Sequence, residues 1–189
     1  MKYILKPVEP PYPAKVAQAL SRYPQGKDGY VIKLFRVFAN SMRFLTEKGA
    51  LNLLDKDSPM SLRQREIIIL RTTANLNCEY EWGVHVSAFA KVANLDDEQV
   101  MATQAANAEA GCWTPEESLL IDCVDQLCAR AMIDDQTYAE FQKHWNLEQQ
   151  LEIFALCGNY HLISFVANTS RIELEQTAAR FSARRKGSF

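Results

Sequence analysis

Apolar residues recur every three or four positions along most of the chain, which is the spacing of one face of an α-helix. Within residues 30–49, for example, Val31, Leu34, Phe38 and Met42 follow this spacing. No stretch alternates apolar and polar residues convincingly over the length of a strand, and no Asn-Gly or Asp-Gly turn links two such stretches. The pattern therefore predicts an all-α fold, a single-domain helical bundle.

Helix boundaries follow from the residues that cap helix ends. The predicted helices cover residues 30–49, 61–75, 77–93, 96–107, 114–132, 134–145 and 146–169. Ser61 begins an S-x-x-Q capping box, and Thr114 is followed by proline and glutamate at the first and third helical positions. Asn77 is the expected N-cap of the third of these helices, and Gly49 is the expected residue after the first.

The last predicted helix, which Asn146 opens, carries apolar residues on all sides, so we expect it to be the central element of the bundle. Gly158 in its middle costs about 1 kcal/mol relative to alanine. This cost suggests that another helix or a ligand approaches the backbone closely there.

Three regions are predicted along the chain. Residues 1–29 contain five of the seven prolines and form an irregular arm, which wraps its own domain or reaches a neighbouring subunit. Residues 30–175 form the helical domain. Residues 176–189 form a basic tail, solvated from Arg180 onward.

Composition narrows the protein class. With 48% hydrophobic and 23% charged residues the chain is globular. Its net charge of −2 does not indicate the basic surface that binds nucleic acid. The sequence shows no signal peptide and no apolar run long enough to span a membrane, so we expect a soluble, cytoplasmic protein. Five cysteines without a C-x-x-C pair argue against a disulfide framework and against a redox dithiol.

Reactive side chains concentrate between Cys78 and His85, in the sequence C-E-Y-E-W-G-V-H. On a helix, Cys78, Glu81 and His85 lie within about 60° of one another, so a thiol, a carboxylate and an imidazole share one stripe. The alternative is that Glu81 and His85 form a surface pair four residues apart, worth a few tenths of a kcal/mol. Tyr80 and Trp82 point in different directions, so we expect only one of them to line a pocket.

Two further residues are candidates for the same site. Glu66 lies on the apolar face of its predicted helix, where a carboxylate must be paired, protonated or functional. A structural ion pair and a site group are both open at this stage. His161 lies on the stripe of Phe154, Gly158 and Phe165, as a hydrogen-bonded core residue or as a substrate-binding group.

The segment L-R-Q-R-E-I-I-I-L-R-T-T-A-N-L-N-C-E-Y-E-W-G-V-H resembles the carboxymuconolactone decarboxylase and alkylhydroperoxidase D-like superfamily. A weaker resemblance extends over residues 34–168. In the peroxidase branch of that family, C-x-x-C-x-x-x-H follows a glutamate by twelve residues. Glu66, Cys78 and His85 match this motif, whereas Glu81 replaces the second cysteine, which is the peroxide-reactive one in that branch.

The resemblance implies an all-helical bundle that assembles as trimers or hexamers, with the site near subunit contacts. It implies acid–base chemistry, decarboxylation or proton transfer, on a small unsaturated lactone or keto acid. In this hypothesis His85 moves the proton, Glu81 and Glu66 assist, and neither a metal nor an organic cofactor is needed.

Two alternatives stay open. One is a peroxidase that uses Cys78 alone, favoured by the helix N-terminus and opposed by the charges of Glu79 and Glu81. The other is a non-catalytic oligomeric member of the family.

Overall fold

The computed structural model of the chain describes residues 6–46, 58–105 and 111–182. These ranges contain helices α1 (Ala14–Leu20), α2 (Lys33–Phe38), α3 (Met42–Thr46), α4 (Leu62–Asn75), α5 (Glu79–Phe89), α6 (Asp97–Ala102), α7 (Pro115–Arg130), α8 (Asp135–His144) and α9 (Leu147–Ser170), with a short 3₁₀ helix at Lys27–Gly29. No strand occurs within them. The all-α fold predicted from the sequence is confirmed.

Helix α4 is the enclosed helix of the bundle. Every side chain of residues 65–74 is buried, and α4 packs against α5, α7 and α9. Helix α9, predicted to be the central element, also contacts α2 and α5, but one of its sides is open. Leu147, Leu151 and Phe165 on α9 are 76%, 67% and 59% exposed. Helix α9 is therefore not enclosed on all sides in the single chain.

The helix starts that the capping patterns predict are confirmed. The Ser61 hydroxyl accepts a hydrogen bond from the Gln64 N–H, and the Gln64 side chain accepts one from the Ser61 N–H. The same reciprocal pair joins Thr114 to Glu117, with Pro115 at the first helical position. Asn146 caps α9 in the same manner. Each pair satisfies N–H groups that a helix start leaves without partners.

The helix predicted over residues 30–49 is broken. Helix α2 ends at Phe38 and α3 begins at Met42. The Asn40 side-chain amide donates to the carbonyls of Val37 and Lys6, at 2.9 and 2.7 Å, and so competes with continuation of the helix. Gly49, the predicted residue after this helix, lies outside the described residues.

The junction between α4 and α5 differs from the prediction at Asn77. Asn77 has a φ of 51°, in the left-handed region that asparagine tolerates better than most residues. The N-cap of α5 is instead Cys78, whose N–H donates to the Thr73 carbonyl at 2.8 Å. The turn directs Cys78 and the first turn of α5 back against α4.

Both ends of the described chain pack on the bundle. Val16, Ala19 and Leu20 of the N-terminal region are buried in the core. At the other end, the Ala179 N–H donates to the Gly83 carbonyl at 3.2 Å, and Phe181 packs on Trp82 with ring centroids 5.2 Å apart. The solvated tail predicted from Arg180 is wrong for Phe181, which is buried. Residues 183–189, with most of the basic charge, lie outside the described residues.

In the parts of the chain that the structure describes, no helix is both long enough and apolar enough to cross a membrane.

Candidate active site

Helices α4 and α5 bring Glu66 and His85 into direct contact. His85 Nδ1 lies 2.9 Å from Glu66 Oε2. The two side chains are almost fully enclosed, with Glu66 1% and His85 4% exposed. The position of Glu66 on the buried face of α4 is thus explained by an ion pair with His85, on the neighbouring helix.

A second carboxylate approaches the other ring nitrogen. Glu81 lies one turn before His85 on α5, and its Oε1 is 3.4 Å from His85 Nε2. Glu81 is 5% exposed, and its other oxygen, Oε2, is buried without a hydrogen-bond partner. The imidazole of His85 is therefore flanked by carboxylates on both sides. The exposed surface pair considered from the sequence does not describe this buried contact.

Helix α9 completes the cluster with Tyr160. The Tyr160 hydroxyl is 3.1 Å from His85 Nε2, and the two rings meet edge to face with centroids 5.2 Å apart. Sequence reasoning selected the next residue, His161, instead. His161 Nδ1 lies 2.8 Å from the Cys157 carbonyl of its own helix, and its ring packs against Phe165.

The electrostatics of the cluster favour a charged imidazole. Burial by itself lowers the pKa of His85, but the charge and hydrogen bonds of Glu66, and then of Glu81, outweigh burial and raise that pKa to about 10. Burial, followed by the charges of Glu81 and Glu66, raises the pKa of the Tyr160 phenol well above its usual value. At neutral pH His85 is thus an imidazolium beside a protonated phenol.

Cys78 lies at the start of α5 with no exposed surface. Burial raises the pKa of its thiol to about 11, while a hydrogen bond from the backbone of Glu81 acts in the opposite direction. The thiol is therefore protonated at neutral pH, which makes it a poor nucleophile. All five cysteines of the chain are free thiols.

Tyr80 and Trp82 make their hydrogen bonds away from His85. The Tyr80 hydroxyl donates to Glu175 Oε1 at 2.7 Å and accepts from the Leu34 N–H at 3.2 Å. Trp82 Nε1 donates to Thr103 Oγ1 at 2.9 Å. These contacts fix α5 to its surroundings and so hold Glu81 and His85 in place.

The side chains of the cluster have little exposed surface. Among the described residues, two cavities of about 530 Å³ and 810 Å³ are lined by other side chains, and neither includes Glu66, Glu81 or His85. The smaller cavity lies between α7 and α9 and includes His161. Among the described residues, no group of three or more His, Cys, Asp or Glu side chains is arranged to hold a metal ion.

The carboxymuconolactone decarboxylase family matches residues 41–121, which include Glu66, Cys78, Glu81 and His85. The resemblance to this family that was predicted from the sequence is confirmed over these residues. Tyr160 lies outside the matched segment. None of the curated proteins matches the chain in sequence.

Two solved structures share the fold. One is an uncharacterized peroxidase-related protein from Silicibacter sp. TM1040, with a TM-score of 0.73 and 17% identity over 95% of this chain and 91% of that one. The other is a protein of unknown function from Agrobacterium tumefaciens, provisionally named antioxidant defence protein AhpD. Its TM-score is 0.61, with 19% identity over 68% of this chain and 89% of that one. The bundle is therefore of the alkylhydroperoxidase D-like type.

Proposed function

We propose that this chain catalyses decarboxylation or proton transfer on a small unsaturated lactone or keto acid, without a cofactor and with His85 as the proton donor. The observation that carries the proposal is the position of the His85 imidazole between the carboxylates of Glu66 and Glu81. A general acid must hold its proton until the reaction needs it, and these two carboxylates keep His85 protonated at neutral pH.

The proton balance of a decarboxylation fits this arrangement. The carboxylate of the substrate leaves as carbon dioxide, and its electron pair stays on the neighbouring carbon as a carbanion or enolate. That carbon then takes the proton from Nε2, the ring nitrogen that faces Tyr160. Glu66 keeps Nδ1 protonated and the ring oriented, and a proton from water restores the imidazolium.

The burial of the cluster sets a condition on this proposal. Because Glu66, Glu81, His85 and Tyr160 are each at most 5% exposed, a substrate reaches Nε2 only when neighbouring side chains move apart. Exclusion of water strengthens the electrostatic interactions of the imidazolium once a substrate is bound.

A thiol peroxidase is the second candidate. The names of the two structural relatives, peroxidase-related protein and antioxidant defence protein AhpD, favour it. The local chemistry opposes it, because Cys78 is buried with a raised pKa and Glu81 stands where a second cysteine would be needed for a disulfide.

One set of variants separates the two candidates. Carbon dioxide release from unsaturated lactones and keto acids, and consumption of hydrogen peroxide, are measured for wild type, His85→Ala and Cys78→Ser. Matched controls are His161→Ala, a histidine outside the cluster, and Cys123→Ser, an equally buried thiol. We expect His85→Ala to lose carbon dioxide release by about 100-fold or more, and Cys78→Ser to keep it.

Two outcomes would reject the lyase. Peroxide turnover that disappears in Cys78→Ser alone, with sulfenate or disulfide at Cys78 by mass spectrometry, would establish the peroxidase. Absence of both activities over a broad substrate panel would support the non-catalytic member of the family, in which the cluster is a buried structural ion pair.

We also propose that the chain self-associates through the open side of α9. Leu147, Leu151, Phe154 and Phe165 lie at successive spacings of four, three and eleven residues on this side, and the last three flank Gly158 and His161. Apolar faces of this extent are typical of protein interfaces. Light scattering should give a mass above 21.5 kDa for wild type, and a lower mass for the double variant Leu151→Glu/Phe165→Glu. A monomeric wild type would contradict this proposal.

A further inference from the structure

The larger cavity, of about 810 Å³, lies beside α5, but none of the residues of the His85 cluster lines it. Its walls come from α2, from Val84, Ser87 and Ala88 of α5, and from the C-terminal segment at residues 175–178. Its volume is within the range of small-molecule sites, about 300–1,000 Å³. The proposed function assigns no role to this cavity.

Arg36 is the buried charge that lines this cavity. Arg36 is 5% exposed, and its guanidinium carbon lies 5.6 Å from the centroid of the Tyr30 ring. Nη1 donates to Glu9 Oε2 at 2.5 Å and to the Val8 carbonyl at 3.5 Å. Nε is buried and has no hydrogen-bond partner. Buried polar groups are normally satisfied, so the hydrogen-bonding capacity of this guanidinium is only partly used.

The carboxylate that pairs with Arg36 belongs to Glu9, whose side chain is 68% exposed. The backbone beside it is fixed independently, because the Val8 N–H donates to the Arg36 carbonyl at 3.0 Å. The Glu9 side chain can therefore rotate into solvent without moving the chain that carries it. A partly exposed ion pair of this kind contributes little to stability, so a ligand carboxylate can displace it.

The other charges define which anion fits. Glu175 accepts hydrogen bonds from the Tyr30 hydroxyl, the Lys33 N–H and the Tyr80 hydroxyl, so it is committed to the protein. When Glu9 swings away, Arg36 loses its carboxylate partner, because Lys33 pairs with Glu173 at 3.5 Å and Glu175 is bonded to the protein. A singly charged ligand replaces the one negative charge of Glu9, whereas a doubly charged phosphate adds a second charge, which Glu175 repels.

Apolar side chains supply the rest of the walls. Ile32, Val84 and Ala88 line the cavity away from the charged groups. A planar carboxylate matches the fork of donors on a guanidinium, and a compact apolar body matches these three side chains. From this combination we propose that the cavity is a binding site for a small organic monocarboxylate, anchored by Arg36 in place of Glu9.

The test uses sodium benzoate as the probe, with benzamide as its uncharged counterpart and inorganic phosphate as the competing anion. Binding to the full chain is followed by calorimetry and by amide shifts in ¹H–¹⁵N spectra. We expect saturable benzoate binding with shifts at Val84, Ser87 and Ala88, and much weaker binding of benzamide and phosphate.

Variants assign the binding to this cavity. Glu9→Gln removes the internal competitor and should tighten benzoate binding about two- to fivefold, the range of an exposed ion pair. Glu173→Gln is the matched control, because Glu173 pairs with Lys33 but is 90% exposed and does not line the cavity. Arg36→Gln should weaken binding about tenfold or more. Ala88 lines the cavity but is exposed, so Ala88→Trp should fill the cavity without unfolding the chain. This variant tests the site independently if Arg36→Gln does not fold.

Four results would overturn the assignment. These are no benzoate binding, equal binding of benzoate and benzamide, tighter binding of phosphate than of benzoate, and benzoate binding that Glu9→Gln and Ala88→Trp leave unchanged.

Discussion

Three polar side chains contact the His85 imidazole in the described structure, and each comes from a different helix. Glu66 comes from the buried face of α4, Glu81 from the preceding turn of α5, and Tyr160 from the inward side of α9. Because two carboxylates face one imidazole, the ring is held as a cation in a place where a lone cation would be expelled. Oε2 of Glu81 is the one side-chain oxygen of these two carboxylates that is buried without a hydrogen-bond partner in the described structure.

The variant Tyr160→Phe tests the hydrogen bond between the Tyr160 hydroxyl and His85. The variant removes the hydroxyl beside His85 Nε2 and keeps the ring that packs on it. We expect the free energy of unfolding to fall by about 0.5–1.5 kcal/mol, the usual value of one hydrogen bond, in urea denaturation. Tyr12→Phe, a partly buried tyrosine outside the cluster, is the control. A cost no larger than that of the control would show that the hydroxyl does not bond to His85.

Helix α5 is held in place by the C-terminal segment, and Gly83 is where they touch. A methyl group at residue 83 would overlap the Ala179 carbonyl oxygen, which belongs to backbone and cannot turn away. Alanine normally favours a helix by about 1 kcal/mol over glycine, but here the clash reverses the sign.

We expect Gly83→Ala to displace residues 175–182 and to expose Phe181 to proteolysis. Gly158→Ala is the matched control, because no described atom lies within 4 Å of a methyl group added to α9 at that position. Limited proteolysis with mass spectrometry measures both variants. Equal protection of the C-terminal segment in Gly83→Ala and wild type would contradict the packing described for α5.

The sequence was sufficient for the helices whose starts carry capping boxes, and for the burial of Glu66. Local patterns encode both, the first through hydrogen bonds three residues apart and the second through the apolar face of the helix. The proximity of Glu66 to His85 followed only from the family resemblance. The break at Asn40 was not predictable, because it depends on the Lys6 carbonyl, 34 residues away.

Tyr160 was missed for a different reason. Helix α9 has two apolar stripes, one through Ile153, Tyr160 and Ala167 and one through Phe154, His161 and Phe165. Periodicity alone cannot tell which stripe faces inward when both are apolar. Because histidine is a common site residue, His161 on the outer stripe was predicted to belong to the site. The same ambiguity led to a close contact being expected at Gly158, where the described chain places none.

For the whole molecule, the charge of His85 links stability to pH. Its pKa is about 10 in the folded chain, compared with 6.5 as the ordinary value. The folded state therefore keeps a proton that the unfolded state releases above pH 6.5. The stabilisation is complete below that pH and is lost as the pH rises toward 10.

Chemical denaturation between about pH 6.5 and 8.5 measures this dependence, with a limiting slope of about 1.4 kcal/mol per pH unit for one proton. This window lies below the ordinary pKa of the cysteines, whose raised values also reduce stability at higher pH. We expect His85→Gln to flatten the decrease and His144→Gln, an exposed histidine, to retain it. Stability that is independent of pH in wild type would contradict a charged His85.

The protonation state of His85 is also open to direct observation, and it is the central claim. Nitrogen-15 NMR of selectively labelled histidine distinguishes an imidazolium, with both nitrogens protonated, from a neutral ring. At about pH 8 an unperturbed histidine is neutral. We predict that His85 is an imidazolium at this pH in wild type, and that Glu66→Gln and Glu81→Gln each lower its pKa. A neutral His85 at about pH 8 would contradict the account, because the cluster would then hold no proton to donate.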